Sequence, residues 1–260
     1  MPKTKTMKYR LIIPFLLLTC ILNAQQPTLY LIGDSTMADK TNPDKNPEHG
    51  WGQMLPALMT DKITIENHAV NGRSSKSFIA ENRWKTVKNK LKSGDFVIIQ
   101  FGHNDQKILS PERYTNPFTE YRYNLEKFVQ ETRDKGAIPI LMSSIVRRNF
   151  NEEGTLVDTH GEYPLVVRKV AKDMEVPFID MQWLTEQLEV QYGPEDSKNL
   201  HLHFKSGENE YYPDGKEDDT HLSEKGATLV ASLALQEIAK KVLALEKYIK
   251  KEVLEEEILK

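Results

Sequence analysis

The chain has 260 residues, 39% hydrophobic and 28% charged, an ordinary globular composition that argues against disorder or a fibrous repeat. Its formal net charge of −3 argues against a general nucleic-acid-binding surface. The single cysteine excludes an internal disulfide and any cysteine-based metal centre.

The N-terminus reads as an address. Lys3, Lys5, Lys8 and Arg10 precede an apolar run from Leu11 to Leu22, which closes on Leu22-Asn23-Ala24 before the polar Gln25-Gln26. Positive, then apolar, then small is the order of a secretory signal, here residues 1–24. As a helix the run would reach roughly 18 Å, short of the ~30 Å hydrocarbon core, and Pro14 interrupts it. No stable membrane span is therefore expected. Leu17-Leu18-Thr19-Cys20 loosely resembles a lipobox, but threonine before the cysteine fits that pattern poorly. The expectation is an exported chain, periplasmic or extracellular. Without the signal, 31 of the 35 basic residues face 38 acidic ones, and the cysteine is gone.

From Thr28 onward, short apolar runs alternate with helical periodicity. Strands are expected at 28–32, 63–66, 96–101, 138–143 and 177–179, and helices at 52–59, 78–91, 119–135, 164–174, 181–192 and 223–245. Phe96-Val97-Ile98-Ile99 has no polar alternation, so that strand should be buried on both faces. Strand and helix in alternation imply a parallel sheet covered on both sides. No linker divides residues 25–260, so one domain is expected. The stretch 193–217 is expected to be irregular and long enough to be functional. The charged tail 242–260 carries Leu245, Ile249 and Val253 at helical spacing, which suggests a C-terminal helix.

Four short motifs carry chemistry. Gly33-Asp34-Ser35-Thr36 follows the first strand and puts a serine at the strand edge where open parallel sheets bind ligands; a turn and helix N-cap would use the same residues. Asn71-Gly72-Arg73-Ser74 follows the second strand, where Gly72 can offer an unobstructed backbone N–H. Phe101-Gly102-His103-Asn104-Asp105 follows the third, where Asn104 can present an amide donor or make an Asx-turn. Asp218-Asp219-Thr220-His221 precedes the last helix; an Asp three residues before a His can fold back on the imidazole N–H, fixing its tautomer and freeing the other nitrogen as a base. A sheet of order 2-1-3-4-5 would bring Ser35, Gly72 and Asn104 to one edge.

In this order the four motifs resemble the blocks of the SGNH (GDSL-like) hydrolases. Together with His49-Gly50-Trp51-Gly52 and Asn71-Gly72-Arg73-Ser74-Ser75-Lys76-Ser77-Phe78, they are similar to the rhamnogalacturonan acetylesterases, family 12 of the carbohydrate esterases. The resemblance runs from about Thr28 to about Ala239. It implies a flavodoxin-like three-layer α/β/α sandwich with a five-stranded parallel sheet. It implies Ser35 as nucleophile, His221 as general base and then acid, and Asp218 orienting His221, although Asp219 stands beside it. The implied oxyanion hole is the Ser35 and Gly72 N–H groups with the Asn104 side-chain amide. No metal or cofactor is implied. The expected partner is an acetylated plant cell-wall polysaccharide or oligosaccharide, with acetylxylan or a lipid ester as the alternative substrate and a noncatalytic glycan-binding protein as the rival class.

Trp51 is expected near the mouth of the site, where it could stack on a sugar, whereas Trp84 and Trp183 are expected to pack in the core. Arg73 is the first candidate to meet a galacturonate carboxylate, and Arg147 and Arg148 are others. His201-Leu202-His203, with Glu208, Glu210 and Asp214, carries metal-capable side chains. His-x-His alone is a weak signature, so no metal site is assigned; this stretch is expected to wall the substrate groove.

Overall fold

In the computed structural model, which describes residues 26–259, eight strands form two sheets. The strands are β1 (Thr28–Gly33), β2 (Glu48–His49), β3 (Thr64–Asn67), β4 (Phe96–Gln100), β5 (Ile138–Met142), β6 (Phe178–Ile179), β7 (His201–Phe204) and β8 (Lys216–Ser223). The main sheet has the order β3-β1-β4-β5-β6, with every neighbouring pair parallel. Counting only its own strands, that is 2-1-3-4-5. The first strand lies between the second and third, so the loops after β1, β3 and β4 leave from one edge side by side.

Because side chains alternate across a strand, β1 divides its residues between two cores. Leu29 and Leu31 face one with Ile98, Ile140 and Met142, and Tyr30 and Ile32 face the other with Val97, Ile99 and Leu141. Nine helices flank these strands among the described residues: α1 (Leu55–Leu58), α2 (Ser75–Ala80), α3 (Arg83–Lys90), α4 (Arg122–Arg133), α5 (Tyr163–Asp173), α6 (Met181–Asp196), α7 (Glu224–Lys241), α8 (Leu243–Glu246) and α9 (Lys251–Glu255). α6 and α7 pack Leu184, Leu188, Val230 and Leu235 into the first core. α3, α4 and α5 pack Trp84, Val87, Phe128 and Val170 into the second. Phe101 stacks on Phe128, with ring centroids 5.6 Å apart, and truncating such a ring costs about 3–5 kcal/mol. The three-layer α/β/α arrangement follows from two apolar faces on one sheet.

Several expected boundaries are corrected. The helix expected at 78–91 is two helices, α2 and α3, because Asn82 takes the left-handed conformation (φ 57°). α6 runs past Tyr192 to Asp196, with a kink where Gly193 has φ 72°. The stretch 193–217 is not irregular throughout: β7 and the start of β8 lie in it, and with β2 they form an antiparallel sheet of order β2-β8-β7. The tail is not one helix over 242–260. Val242 breaks it (φ −130°), and Leu245, Ile249, Val253 and Ile258 are all buried in the first core. The expected signal at 1–24, with Cys20, lies outside the described residues. Among the described residues no helix is long and apolar enough to cross a membrane.

Candidate active site

The first loop is set by close packing. Thr36 O accepts from Trp51 N (2.9 Å) and Asp34 O from Ala38 N (3.1 Å), closing a tight turn after β1. A Cβ on Gly50 would overlap the Met37 and Ala38 backbone, so only glycine lets the 49–52 segment lie against this turn. The turn raises Ser35 at the sheet edge, 9% exposed. Beneath it Asp34 Oδ1 accepts from Thr36 N (3.0 Å) and Thr36 Oγ1 (2.9 Å). Burial works to raise the Asp34 carboxyl, but His103, 3.4 Å away, and the Thr36 donors outweigh it and hold it at about 2. His103, itself pushed down to about 4 chiefly by burial, packs edge-on to the buried His160 with centroids 4.6 Å apart.

The imidazole arrives from the other sheet. His201 pairs with Leu222 and Leu202 with Asp218, so Asp219, Thr220 and His221 bulge out of β8 toward Ser35. A bulge leaves backbone N–H groups without a ladder partner. Here Asp218 Oδ1 accepts from Thr220 N and His221 N, both at 2.9 Å. Its Oδ2 lies 2.9 Å from His221 Nδ1, and His221 Nε2 lies 3.0 Å from Ser35 Oγ. Burial works to raise Asp218, but the His221 and Thr220 hydrogen bonds hold it well below the usual carboxylate range. An ionised Asp218 only accepts, so Nδ1 carries the proton and Nε2 presents a lone pair to the serine hydroxyl. Such an arrangement can take a proton from Ser35 as its oxygen attacks a carbonyl carbon.

The neighbouring Asp219 is turned elsewhere: its Oδ1 is 2.8 Å from both Arg148 Nη1 and His203 Nε2. His201 is buried against Glu189, with Nε2 2.8 Å from Oε1.

The next two loops carry Gly72 and Asn104, the candidate oxyanion donors. Gly72 has φ 75°, a left-handed conformation that favours glycine, and nothing lies within 4 Å of its Cβ position. Asn104 Nδ2 donates to Arg73 O (3.2 Å), which uses one of its two amide protons. Among the described residues the Ser35 and Gly72 N–H groups meet no backbone acceptor. The two loops are fastened by the buried Asp105, which accepts from Ser75 N (3.1 Å), Ser75 Oγ (2.5 Å) and Thr115 Oγ1 (2.9 Å). Burial raises Asp105 to about 7 against those hydrogen bonds. The sequence motif contains Asp105, but its partners lie 30 and 10 residues away, so only the fold reveals the clasp.

The expected substrate contacts fare differently. Trp51 is not at the mouth: it is fully buried and donates from Nε1 to Gln100 Oε1 (2.9 Å), because the 49–52 segment packs inward on the turn that carries Ser35. Trp183, expected in the core, is 54% exposed, whereas Trp84 is buried and donates to Glu131. Arg73 is not a free guanidinium, since Nε sits 3.1 Å from both Glu81 carboxylate oxygens and Nη1 donates to Asn71 O. Arg147 donates to Thr159 Oγ1, and Arg148 is spent on Ser197, Asp219 and Pro194 O.

Residues 31–229 match the GDSL-like Lipase/Acylhydrolase family. Rhamnogalacturonan acetylesterase RhgT of Bacillus subtilis is 41% identical over 221 residues, covering 85% of this chain and 93% of that one. The rhamnogalacturonan acetylesterase of Emericella nidulans is 27% identical, covering 85% and 88%. Among solved structures, YxiM of Bacillus subtilis matches with a TM-score of 0.68 at 25% identity, over 83% of this chain and 56% of that longer one. Axe2, an acetylxylan esterase of Geobacillus stearothermophilus, shares the fold with a TM-score of 0.58 at 21% identity, covering 82% and 94%. The chain is an esterase and belongs to the GDSL-like lipase/acylhydrolase family.

Proposed function

We propose that the chain is an exported acetylesterase that removes O-acetyl groups from rhamnogalacturonan or a related pectic polysaccharide, using Ser35, His221 and Asp218. The observation that carries this reading is the unbroken contact from Ser35 Oγ through His221 to Asp218, in a chain 41% identical to RhgT. Ser35 Oγ attacks the acetyl carbonyl while His221 Nε2 takes its proton. The negative charge that develops on the carbonyl oxygen is met by the Ser35 and Gly72 N–H groups and the second Asn104 amide proton. His221 returns the proton to the sugar oxygen, which leaves as a hydroxyl. A water activated by the same imidazole then splits the acetyl-serine, releasing acetate. Export is supported by the three-part pattern of residues 1–24, with the domain following from residue 25.

Acetate release from acetylated rhamnogalacturonan, acetylxylan and a set of acyl lipids tests the reading, with Ser35→Ala as control. Wild-type protein should prefer the pectic substrate, and Ser35→Ala should release no acetate above background. Near-wild-type turnover by Ser35→Ala would overturn the mechanism, and a preference for lipid would overturn the substrate class.

A further inference from the structure

Lys40 is a buried ammonium that no step above uses. Its side chain is 2% exposed, and Nζ lies 2.7 Å from Glu48 Oε1, 2.5 Å from the Ser35 carbonyl oxygen and 2.9 Å from Asn71 Oδ1. Three ammonium protons meet three acceptors, which is the full donor capacity of lysine. Each acceptor belongs to a different part of the site.

The first is the nucleophile's own peptide. Lys40 holds the Ser35 carbonyl, and Asp34 Oδ1 holds the Thr36 N–H at the other end of the same peptide unit (3.0 Å). A peptide plane gripped at both ends fixes the backbone that aims Ser35 Oγ. The second acceptor, Asn71, directly precedes Gly72, so its side chain pins the turn that presents the Gly72 N–H. The third, Glu48, is in β2, where Glu48 pairs with Ser223 and His49 with Leu222 of β8, the two residues that follow His221. A buried charge is costly unless it is paired and hydrogen-bonded. A side chain that only filled space here could be apolar, whereas this one spends all of its donors on the segments that carry the nucleophile, an oxyanion donor and the base.

We propose that Lys40 is a positioning residue for acyl transfer: one ammonium ties the Ser35 peptide, the Asn71–Gly72 turn and the β2–β8 pair into a single geometry. This rests on the reading of Ser35 as nucleophile and His221 as base. Lys40 touches no reacting atom, so its loss should act on kcat rather than on KM. Displacing reacting groups by ~1 Å can cost about 10²-fold, less than losing an oxyanion donor outright.

Three variants test it against a merely structural Lys40–Glu48 pair. Lys40→Met leaves the half-buried Glu48 carboxylate without its ammonium partner, so the melting midpoint should fall. Lys40→Met/Glu48→Gln removes that stranded charge and should regain most of the midpoint, yet kcat on a soluble acetyl ester should stay roughly 10²-fold below wild type with KM within about twofold. Lys40→Arg keeps the charge, but a planar fork cannot place one nitrogen on three acceptors, so kcat should fall by about 10-fold or more. A folded variant of any of the three with kcat within about threefold of wild type, or one whose loss lies in KM, overturns the proposal. Ser35→Ala run alongside separates the two failures: if it retains activity, the nucleophile reading falls, and if it is inactive while the Lys40 variants turn over normally, only the Lys40 inference falls.

Discussion

Replacing Asp218 by asparagine should abolish turnover without unfolding the protein, because the contacts around Asp218 dictate which way the asparagine amide must turn. Asp218 Oδ1 already accepts two backbone N–H groups, from Thr220 and His221. An asparagine must therefore keep its oxygen there and turn its NH2 group toward His221 Nδ1. Two donors cannot face each other, so the imidazole proton moves to Nε2, which then has no lone pair for the Ser35 hydroxyl 3.0 Å away. The equivalent tautomer switch in another serine hydrolase costs about 10⁴-fold in kcat, or about 5.4 kcal/mol at 1.36 kcal/mol per tenfold. If Asp218 only supplied a charged hydrogen bond, the loss would be about 1.5–3 kcal/mol, roughly 10- to 10²-fold. The assay is kcat/KM on a soluble acetyl ester, with a melting curve on the same sample. Asp219→Asn is the control, because Asp219 serves Arg148 and His203, and it should stay within about fivefold. Turnover by Asp218→Asn above about 1% of wild type, or an equal loss in Asp219→Asn, would refute the tautomer argument.

Asn104→Ala should lower kcat roughly 10²- to 10³-fold at little change in KM, the usual cost of one oxyanion donor; an unchanged kcat would remove Asn104 from the hole. Trp51→Phe strands Gln100 Oε1 and should destabilise the protein by about 1–3 kcal/mol, read as a denaturant midpoint, while KM for the polysaccharide stays put. A raised KM without lost stability would restore the sugar-stacking role that burial argues against. Asp105 sets a pH dependence. Burial holds it up to about 7 in the fold against a usual 3.8, so between those values the native state keeps the proton that the unfolded chain gives up. Its contribution to stability is then present at low pH and lost as pH rises toward 7. His103, pushed from 6.5 to about 4, acts in the opposite sense, losing stability as pH falls through that window. The stability of Asp105→Asn relative to wild type should therefore climb from pH 4 to pH 7, and a flat difference would contradict the burial argument.

The main sheet was legible because its information is local. Five mostly apolar runs, with Phe96-Val97-Ile98-Ile99 showing no polar alternation, leave no other place for those side chains than a sheet covered on both faces. The break at Asn82 was not legible: Phe78, Trp84, Val87 and Leu91 keep a helical stripe through it, and the left-handed φ of Asn82 leaves that stripe unmarked. β8 was hidden for a different reason. Lys216-Glu217-Asp218-Asp219-Thr220-His221 has no apolar alternation, because its stability comes from pairing with β2 and β7 rather than from a buried face. The tryptophans illustrate the general limit. Trp51 and Trp183 are each followed by helix-like sequence, and which of them is buried depends on what packs above it. No motif marks Lys40, and only Glu48 and Asn71, brought in from 8 and 31 residues on, make it part of the site.

The two sheets divide the chemistry between them. Ser35, Gly72 and Asn104 follow parallel neighbours of one rigid sheet, so their relative positions are set by strand register and change little without breaking the core. His221 stands on a bulge of the smaller sheet, 186 residues from Ser35 in sequence, and nothing in the main sheet's register fixes its place. The bulge supplies what register does not. Its two orphaned N–H groups demand an acceptor, and the carboxylate that satisfies them is the one that reaches His221 Nδ1. The Asp-x-x-His spacing is therefore the length of the bulge: one residue fewer would return His221 to the ladder, and one more would separate the carboxylate from the N–H groups it caps. A single aspartate thus closes the backbone and sets the tautomer, which is why the proposed base can be carried by a strand with so little buried surface of its own.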